Sequence, residues 1–330
     1  MKNYNIFFIL FGIMILIIAI GNPLDVFAIS SCDEGYWRIA SYWAGTGISQ
    51  QGYDTYNIFH HFNIEPLSGG YISEVNGMSE SSTRGEINEI HAHGDLVLAT
   101  IGGWGYGPAF QSATNTDSKR QIFAEQIAKR VWDYGYDGAV IDWEEDVNND
   151  DLFEAMKKIR IELDKYNPEL LLNIDVCCDV NPSNVARIAP YVNSINTMGY
   201  GSAISSDYAY YTNAGVPSEK IVGGIEFGNW ANSPTKVREA AQYIKDMNLK
   251  GIETWELSGL TSSYSQEIIN VLGSGQACST GANINPSSGA DTDNDCNVNR
   301  GELGNYILQW KNGQVSRTQL GIAIQLWVEN

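Results

Sequence analysis

Hydrophobic residues recur in eight runs of strand length along the central part of the chain. The runs are WRIASYW, YNIFHHFNI, LVLATIGGW, YDGAVIDWE, LLLNIDVCC, VNSINTMGY, KIVGGIEFG and GIETWEL. Amphipathic stretches such as DSKRQIFAEQIAKRVWDYG and DDLFEAMKKIRIELDKY lie between them, and their Asp or Ser starts and Gly stops are typical of helix ends. Eight strands that alternate with helices over about 245 residues predict an α/β fold, the (β/α)8 TIM barrel, with an open doubly wound sheet as the closest rival.

The periodic pattern stops after residue 274, which sets the expected end of a barrel domain that begins at residue 31. Residues 275–289, GQACSTGANINPSSG, are small and polar and predict a linker. In residues 290–330, VNRGELGNYILQW aligns with VSRTQLGIAIQLW, and each copy carries Leu, Ile and Trp at helical spacing. The tail is therefore predicted to be a small α-helical module whose two copies bury their apolar faces against each other.

Residues 1–28 have the layout of a secretory signal peptide. A single lysine, Lys2, precedes an apolar run from Ile6 to Ile20, and the segment ends in a small-residue site at Ala28. The run is short for a membrane span, so an uncleaved membrane anchor is the less favoured alternative. We therefore expect a secreted, extracellular protein, in which disulfides are permitted.

Five cysteines lie downstream of this segment, at positions 32, 177, 178, 278 and 296. An odd number leaves at least one of them unpaired within the chain, and their spacings fit no zinc motif. We interpret them as structural, with their pairing open.

The chain is strongly acidic, with a formal net charge of −19. This charge argues against nucleic acid and anionic membrane surfaces as partners. A hydrophobic content of 43 % beside 18 % charged residues indicates a folded globular protein. Neutral sugars fit this balance as ligands, although charge alone does not select them.

In a barrel of this kind, chemistry is carried at the C-terminal ends of the strands. One predicted strand, YDGAVIDWEED, ends in the carboxyl pair Asp142 and Glu144, which share a face with Val140. The other strand ends supply mainly large side chains, among them Tyr42, Trp43, Phe62, Trp104, Met198, Tyr200 and Trp255. Aromatic rings stack on the apolar faces of sugars, and a close carboxyl pair can perform acid–base chemistry on a glycosidic bond.

The order and spelling of these strand ends resemble glycoside hydrolase family 18, the family of chitinases and endo-β-N-acetylglucosaminidases. The family motif SxGG corresponds to TIGG at Thr100–Gly103, DGxDxDxE to DGAVIDWE at Asp137–Glu144, MxYD to MGYG at Met198–Gly201, and the tryptophan of the eighth strand to Trp255. Each piece is unspecific alone, but their order on successive strands is specific.

The resemblance implies a role for each matching residue. Glu144 would be the general acid, while the 2-acetamido oxygen of the substrate, rather than a protein group, attacks the anomeric carbon. Asp142 would orient the acetamide N–H and raise the pKa of Glu144, and Tyr200 would bind the acetamide oxygen. Substrate contacts are expected from Tyr42, Phe62, Trp104, Met198 and Trp255. The implied substrate is β-1,4-linked N-acetylglucosamine, in chitin, chitooligosaccharides or the core of N-glycans.

Two positions depart from the family motifs. Val140 stands where the family has an aspartate beneath Asp142, and Gly201 stands where it has an aspartate after Tyr200. A buried carboxylate that lacks one hydrogen bond costs about 1–3 kcal/mol, which would slow turnover roughly ten- to hundredfold. Because Glu144 and Asp142 remain, we expect an active, slower enzyme. The alternative is a lectin that binds chitin or glycans on the same scaffold.

The tail contains a candidate calcium loop, DTDNDCNVNRGE. Positions one, three, five, seven and twelve of an EF-hand loop correspond to Asp291, Asp293, Asp295, Asn297 and Glu302. Cys296 replaces the glycine usual at position six, and the second repeat has Gln319 in place of Glu302, so one Ca²⁺ is expected. A pair of such repeats behind a linker resembles a dockerin, which implies a cohesin-like scaffold protein as partner. A calcium-stabilised cap without a partner is the alternative.

Overall fold

A computed structural model describes residues 36–274 and, beyond them, the isolated helical positions Ile307 and Lys311. The predicted signal peptide (1–28), the linker (275–289) and the calcium module (290–330) lie outside the described residues, apart from those two positions. The five expected calcium ligands, Asp291, Asp293, Asp295, Asn297 and Glu302, also lie outside them.

Eight parallel strands close into a barrel. The described residues contain these eight strands and one short additional strand, β3. In chain order the strands are β1 (Trp37–Trp43), β2 (Ile58–Pro66), β3 (Ile72–Val75), β4 (Leu96–Gly102), β5 (Gly138–Asp142), β6 (Leu171–Val176), β7 (Ser194–Thr197), β8 (Ile221–Glu226) and β9 (Gly251–Trp255). All except β3 pair in parallel with their neighbours, and β1 pairs with both β2 and β9. The closed order confirms the TIM barrel and excludes the open doubly wound sheet.

Helices follow the strands around the outside of the barrel. They are α1 (Gln50–Thr55), α2 (Glu80–Ala92), α3 (Gly107–Thr114), α4 (Asp117–Tyr134), α5 (Asn149–Tyr166), α6 (Pro182–Ile188), α7 (Ile204–Thr212), α8 (Pro234–Asp246) and α9 (Ser262–Leu272). The N-cap of α4 is Thr116, one residue before the predicted Asp start, and its side chain accepts from the backbone N–H of Lys119. Gly135 ends α4 in the left-handed conformation at φ 85°, as its Gly stop predicted.

The short strand β3 is the one described strand that the hydrophobic pattern did not predict. It pairs antiparallel with the end of β2, with Ile64 opposite Val75 and Pro66 opposite Ile72. Its sequence ISEV is too short for a visible alternation of apolar and polar residues. The hairpin extends β2 beyond the barrel rather than adding a strand to it.

The interior of the barrel is layered, because alternate residues of each strand point inward. The deep layer is an apolar cluster of Ile39, Ile58, Leu96, Leu98, Val140, Leu171 and Val222, against which Trp37 packs. Nearer the C-terminal ends of the strands, buried polar residues take over, among them Ser41, His60, Thr100, Asn173, Asp175 and Glu253. The apolar layer closes one end of the barrel, and the polar layer lies beneath its mouth.

None of the helices within residues 36–274 is both long enough and apolar enough to cross a membrane.

The end of β4 is tightly packed against β5, which gives a test of the fold at the mouth. A Cβ added at Gly102, where φ is +103°, would lie 2.3 Å from the backbone oxygen of Asp142. Gly105 has a similar φ of +93° with nothing near its Cβ position. We expect Gly105→Ala to cost about 1–3 kcal/mol from backbone strain alone, and Gly102→Ala to cost about 1–3 kcal/mol more from overpacking. Urea unfolding of both variants measures the difference, and equal losses would contradict the close approach.

Candidate active site

The end of β5 carries two carboxyl groups at different depths. Asp142 is the last residue of the strand and is 2 % exposed, while Glu144 lies two residues further on and is half-buried at the mouth. Between them, Trp143 points the other way and stacks on Phe110 of α3, with ring centroids 4.9 Å apart. Trp143 therefore packs against the helix layer, and this packing fixes the direction of both carboxyl groups.

Both carboxyl groups hold their protons more tightly than free carboxyls do. Burial raises the pKa of Glu144 to about 7, and the negative charge of Glu145 adds to the effect. Burial also raises the pKa of Asp142 well above its usual value, with further contributions from the charges of Glu144 and Glu253. Burial, more than the charge of Asp142, therefore sets the pKa of Glu144, and its value near neutrality suits a general acid.

An aromatic wall lies at the same end of the barrel as the two carboxyl groups. The rings of Phe62 and Trp255 meet edge to face with centroids 5.0 Å apart. Trp43 contacts both, at 5.8 Å from Phe62 and 6.1 Å from Trp255, and it is 39 % exposed. The three rings come from β1, β2 and β9, so they present a surface that one strand could not form.

The structure corrects the assignment of Tyr42 as a substrate contact. Tyr42 is buried in the layer between the barrel and the helices, and its ring stacks on His61 with centroids 5.0 Å apart. Successive residues of a strand face opposite sides, so the inward position at the end of β1 belongs to Trp43. Trp43 therefore takes the place expected of Tyr42.

The structure brings Met198 and Tyr200 to the same end of the barrel, directly after β7, where both are half-buried. Burial raises the pKa of Tyr200 well above its usual value, so its phenol is a neutral hydrogen-bond donor. Trp104 lies in the turn between β4 and α3 and is 68 % exposed. The contacts of these three residues with a substrate stay predictions.

Around Asp142 lies a polar layer that the motifs did not reveal. Asp175 of β6 is the register partner of Asp142, and its Oδ1 accepts from Asn196 Nδ2 at 2.7 Å. Glu253 of β9 accepts from Ser41 Oγ at 3.0 Å, and its Oε1 lies 2.8 Å from His60 Nδ1. The inward positions in LLLNIDVCC and GIETWEL were the only sequence signal for these carboxyls.

Ligand atoms of His60, Asp175 and Glu253 all lie within 4.8 Å of one another. One imidazole and two carboxylates form a donor set that a divalent metal ion accepts. His60 is completely buried.

Val140 sits between two polar side chains. Thr100 of β4 and Asn173 of β6 are its register partners. Among the described residues, neither Thr100 Oγ1 nor the Asn173 side-chain amide has a hydrogen-bond partner, and the same holds for Asp142 Oδ1. Each such group costs about 1–3 kcal/mol when buried. The predicted loss of a partner below Asp142 therefore agrees with the structure.

The structure pairs two neighbouring cysteines at the mouth. Cys177 and Cys178, directly after β6, form a disulfide with each other. Cys177 Sγ lies 3.4 Å from Glu144 Oε2. A disulfide sulfur carries no hydrogen, so it contacts the carboxyl oxygen without donating to it. The cysteines were interpreted only as structural, and this pair contacts the candidate acid.

A sequence profile described as Glycosyl hydrolases family 18 matches residues 38–238 of the chain. The chain belongs to this family. The matched range contains Asp142, Glu144, Met198 and Tyr200 and ends before Trp255. Membership confirms the family resemblance and the fold it implied, whereas the roles of individual residues rest on their geometry.

Two similar curated proteins are chitinases by name. Chitinase 1 of Aphanocladium album is 26 % identical over 167 residues, covering 39 % of this chain and 40 % of that protein. Endochitinase 1 of Metarhizium anisopliae is 25 % identical over 171 residues, covering 40 % of each. The chain thus spans about 40 % of the length of the curated relatives it matches.

Solved structures share the barrel. A chitinase from Rhizomucor miehei superposes with a TM-score of 0.62 at 16 % identity, covering 72 % of this chain and 98 % of that one. A class V chitinase from Nicotiana tobaccum in complex with NAG4 gives a TM-score of 0.63 at 13 % identity, covering 72 % and 99 %. At these identities the likeness shows the fold alone.

In this family 18 barrel, reduction of the disulfide should change the acidity of Glu144. A reduced Cys177 thiol would donate to Glu144 Oε2, and a hydrogen bond to a carboxylate favours its charged form. We expect the pKa of Glu144 to fall below about 7 when the pair is reduced. A ¹³C NMR titration with and without dithiothreitol measures this, with Glu144→Gln identifying the resonance. Cys177→Ala serves as the control in which reduction has no effect. Identical titrations of the wild-type protein in both states would contradict the contact.

Proposed function

We propose that the protein is a glycoside hydrolase that cleaves β-1,4-linked N-acetylglucosamine, as in chitin or chitooligosaccharides. The observation that carries this proposal is Glu144, a half-buried carboxyl at the barrel mouth with a pKa raised to about 7. It follows Asp142 by two residues, at the end of the barrel that also carries the rings of Phe62 and Trp255. An acid that is largely protonated below neutral pH, next to a surface for sugar rings, is what protonation of a glycosidic oxygen requires.

The proposed reaction uses the substrate as its own nucleophile. Glu144 protonates the leaving oxygen while the 2-acetamido oxygen attacks the anomeric carbon, which forms an oxazolinium-like ring. Asp142 accepts the acetamide N–H, and the phenol of Tyr200 donates to the acetamide oxygen. Water then opens the ring as the Glu144 carboxylate takes its proton, so the anomeric configuration is retained.

The substrate class is inferred from the charge of the chain and from the aromatic wall at the barrel mouth. A strongly acidic chain suits an uncharged sugar better than an anionic one. The wall formed by Trp43, Phe62 and Trp255 provides apolar faces for pyranose rings. The relatives named above are chitinases, and one structural neighbour holds NAG4, which supports an N-acetylglucosamine polymer. Hydrolysis of the N-glycan core is the alternative substrate for the same chemistry.

Removal of the acid should abolish hydrolysis. We expect the wild-type protein to release product from a fluorogenic chitobioside and Glu144→Gln to lower kcat by about 10²–10⁴-fold. Glu226→Gln is the matched control: this carboxyl ends β8 at the same end of the barrel, where it accepts from Asn229, and the variant should stay active.

An N-glycoprotein tested alongside distinguishes the two enzyme substrates. If the wild-type protein and Glu144→Gln are equally inert and both bind chitin, the protein is a lectin and the proposed hydrolysis is wrong.

We also propose that the tail binds one Ca²⁺. The oxygen ligands of Asp291, Asp293, Asp295 and Glu302, with the backbone carbonyl of Asn297, match the ligand set of an EF-hand loop. Export through residues 1–28 and docking to a cohesin-like scaffold would place this module in an extracellular assembly. Both inferences rest on the sequence pattern alone.

Calorimetry tests the calcium proposal. Glu302→Gln replaces one of the two carboxylate oxygens that close the loop with an amide nitrogen and removes the negative charge. We therefore expect a weaker Ca²⁺ affinity than in the wild-type protein. Glu329→Gln changes an acidic residue of the same tail outside the loop and should bind normally. The absence of a binding heat for the wild-type protein would exclude the loop assignment.

A further inference from the structure

The carboxyl missing at position 140 has a counterpart on the neighbouring strand. Asp142 and Asp175 are register partners on the parallel strands β5 and β6, so their side chains emerge side by side into the barrel. Both are 2 % exposed. Asp142 Oδ1 has no hydrogen-bond partner among the described residues, while Asp175 Oδ1 is bonded to Asn196.

A chain of hydrogen bonds holds Asp175 in place. Ser194 Oγ donates to Asn196 Oδ1 at 2.8 Å, which turns the amide nitrogen of Asn196 toward Asp175. Across the barrel, Glu253 is held by Ser41, and its Oε2 has no partner among the described residues. Asp175 is thus held by Asn196 and lies near the carboxyl groups of Asp142 and Glu253.

The charges in this layer do not balance unless protons are retained. Asp142, Asp175, Glu253 and the more exposed Glu144 face one another, and the phenol of Tyr200 is the other acidic group beside them. In the described part of the chain, the only basic side chain in an ion pair with any of these carboxyls is His60, next to Glu253. Burial and the neighbouring negative charges oppose ionisation of Asp142, Asp175 and Glu144, so these three carboxyls titrate as a coupled set that shares protons.

We propose that Asp175 is a positioning residue that replaces the carboxyl absent from position 140: it shares a proton with Asp142 and orients Asp142 toward the mouth, with Glu253 and His60 completing the network. This inference rests on the proposed function of Glu144 and Asp142. If Asp175 fills this role, the slower turnover expected from Val140 does not arise, because Asp142 receives its partner from β6 instead of β5.

The row around Val140 supplies a rescue variant. Its register partners Thr100 and Asn173 carry a hydroxyl and an amide that have no partners among the described residues. An aspartate at position 140 would find both donors within its own row. Val140→Asp should therefore fit the layer and provide Asp142 with a carboxyl from its own strand.

The kinetic test compares Asp175→Asn with the double variant Val140→Asp/Asp175→Asn. We expect Asp175→Asn to lower kcat on the chitobioside about ten- to hundredfold, to leave KM nearly unchanged and to shift the acidic limb of the pH profile. The double variant should recover at least about tenfold of that loss, if one hydrogen-bonded partner is restored. Asp95→Asn is the matched control, because Asp95 is a buried carboxyl at the opposite, N-terminal end of β4. Its kcat and pH profile should match the wild type.

A second measurement needs no activity. The pKa of Asp175 is raised above 3.8 in the folded state by burial and by the charges of Glu253 and Asp142. The folded protein therefore keeps a proton that the unfolded chain loses, so this carboxyl lowers stability progressively as pH rises above that value. Urea unfolding across this pH range should show a smaller fall in stability for Asp175→Asn than for the wild type.

The outcomes separate the two proposals. An inert wild-type protein whose pH-dependent stability still changes in Asp175→Asn would exclude the hydrolase but retain the shared-proton network. An Asp175→Asn variant with wild-type kcat, pH profile and stability slope would overturn the network. Stoichiometric metal in the wild-type protein by mass spectrometry, lost in Asp175→Asn, would also overturn it, because a cation rather than a proton would then join the carboxyls.

Discussion

A carboxyl group inside a protein must be neutralised, paired or hydrogen-bonded, and this requirement shapes the whole upper half of the barrel. Four carboxyls, from β5, β6, β9 and the residue two places after β5, meet where water is largely excluded. Burial, with the charges of neighbouring carboxylates, holds protons on Asp142, Glu144 and Asp175 at a pH where isolated carboxyls are charged. In the polar layer, Ser41 donates to Glu253 and Asn196 donates to Asp175, whereas Thr100 and Asn173 have no partners among the described residues.

The strand geometry determines which groups meet. Inward positions recur every second residue, and the closed pairing of β1 with β9 brings residues more than 200 positions apart into contact, as with Ser41 and Glu253. The apolar cluster around Val140 and Leu171 seals the barrel below. Glu144, half-buried at the mouth, is the most solvent-accessible of the four carboxyls.

The sequence predicted the barrel, its eight strands and the carboxyl pair, because each of these is a local pattern. Alternation along YDGAVIDWEED places Asp142 and Glu144 on one face without reference to any other strand. Tyr42 was assigned wrongly although the same alternation was available, since the strand could not be placed in its correct phase without knowing which neighbour occupied the mouth. The polar layer was harder to predict from the sequence. The proximity of Asp175 and Glu253 to Asp142 depends on the register between strands, which no single segment specifies.

The disulfide between Cys177 and Cys178 has a further consequence. The stabilisation that a disulfide gives through the unfolded state grows with the length of the loop it closes. A bridge between neighbouring residues closes no loop of that kind, so it adds almost nothing to resistance against unfolding. Its effect is chemical instead. In an oxidising medium two adjacent thiols beside Glu144 would be exposed to sulfenic acid formation and to capture by soft metal ions. Bonded to each other, they keep the entrance to the barrel free of a reactive nucleophile.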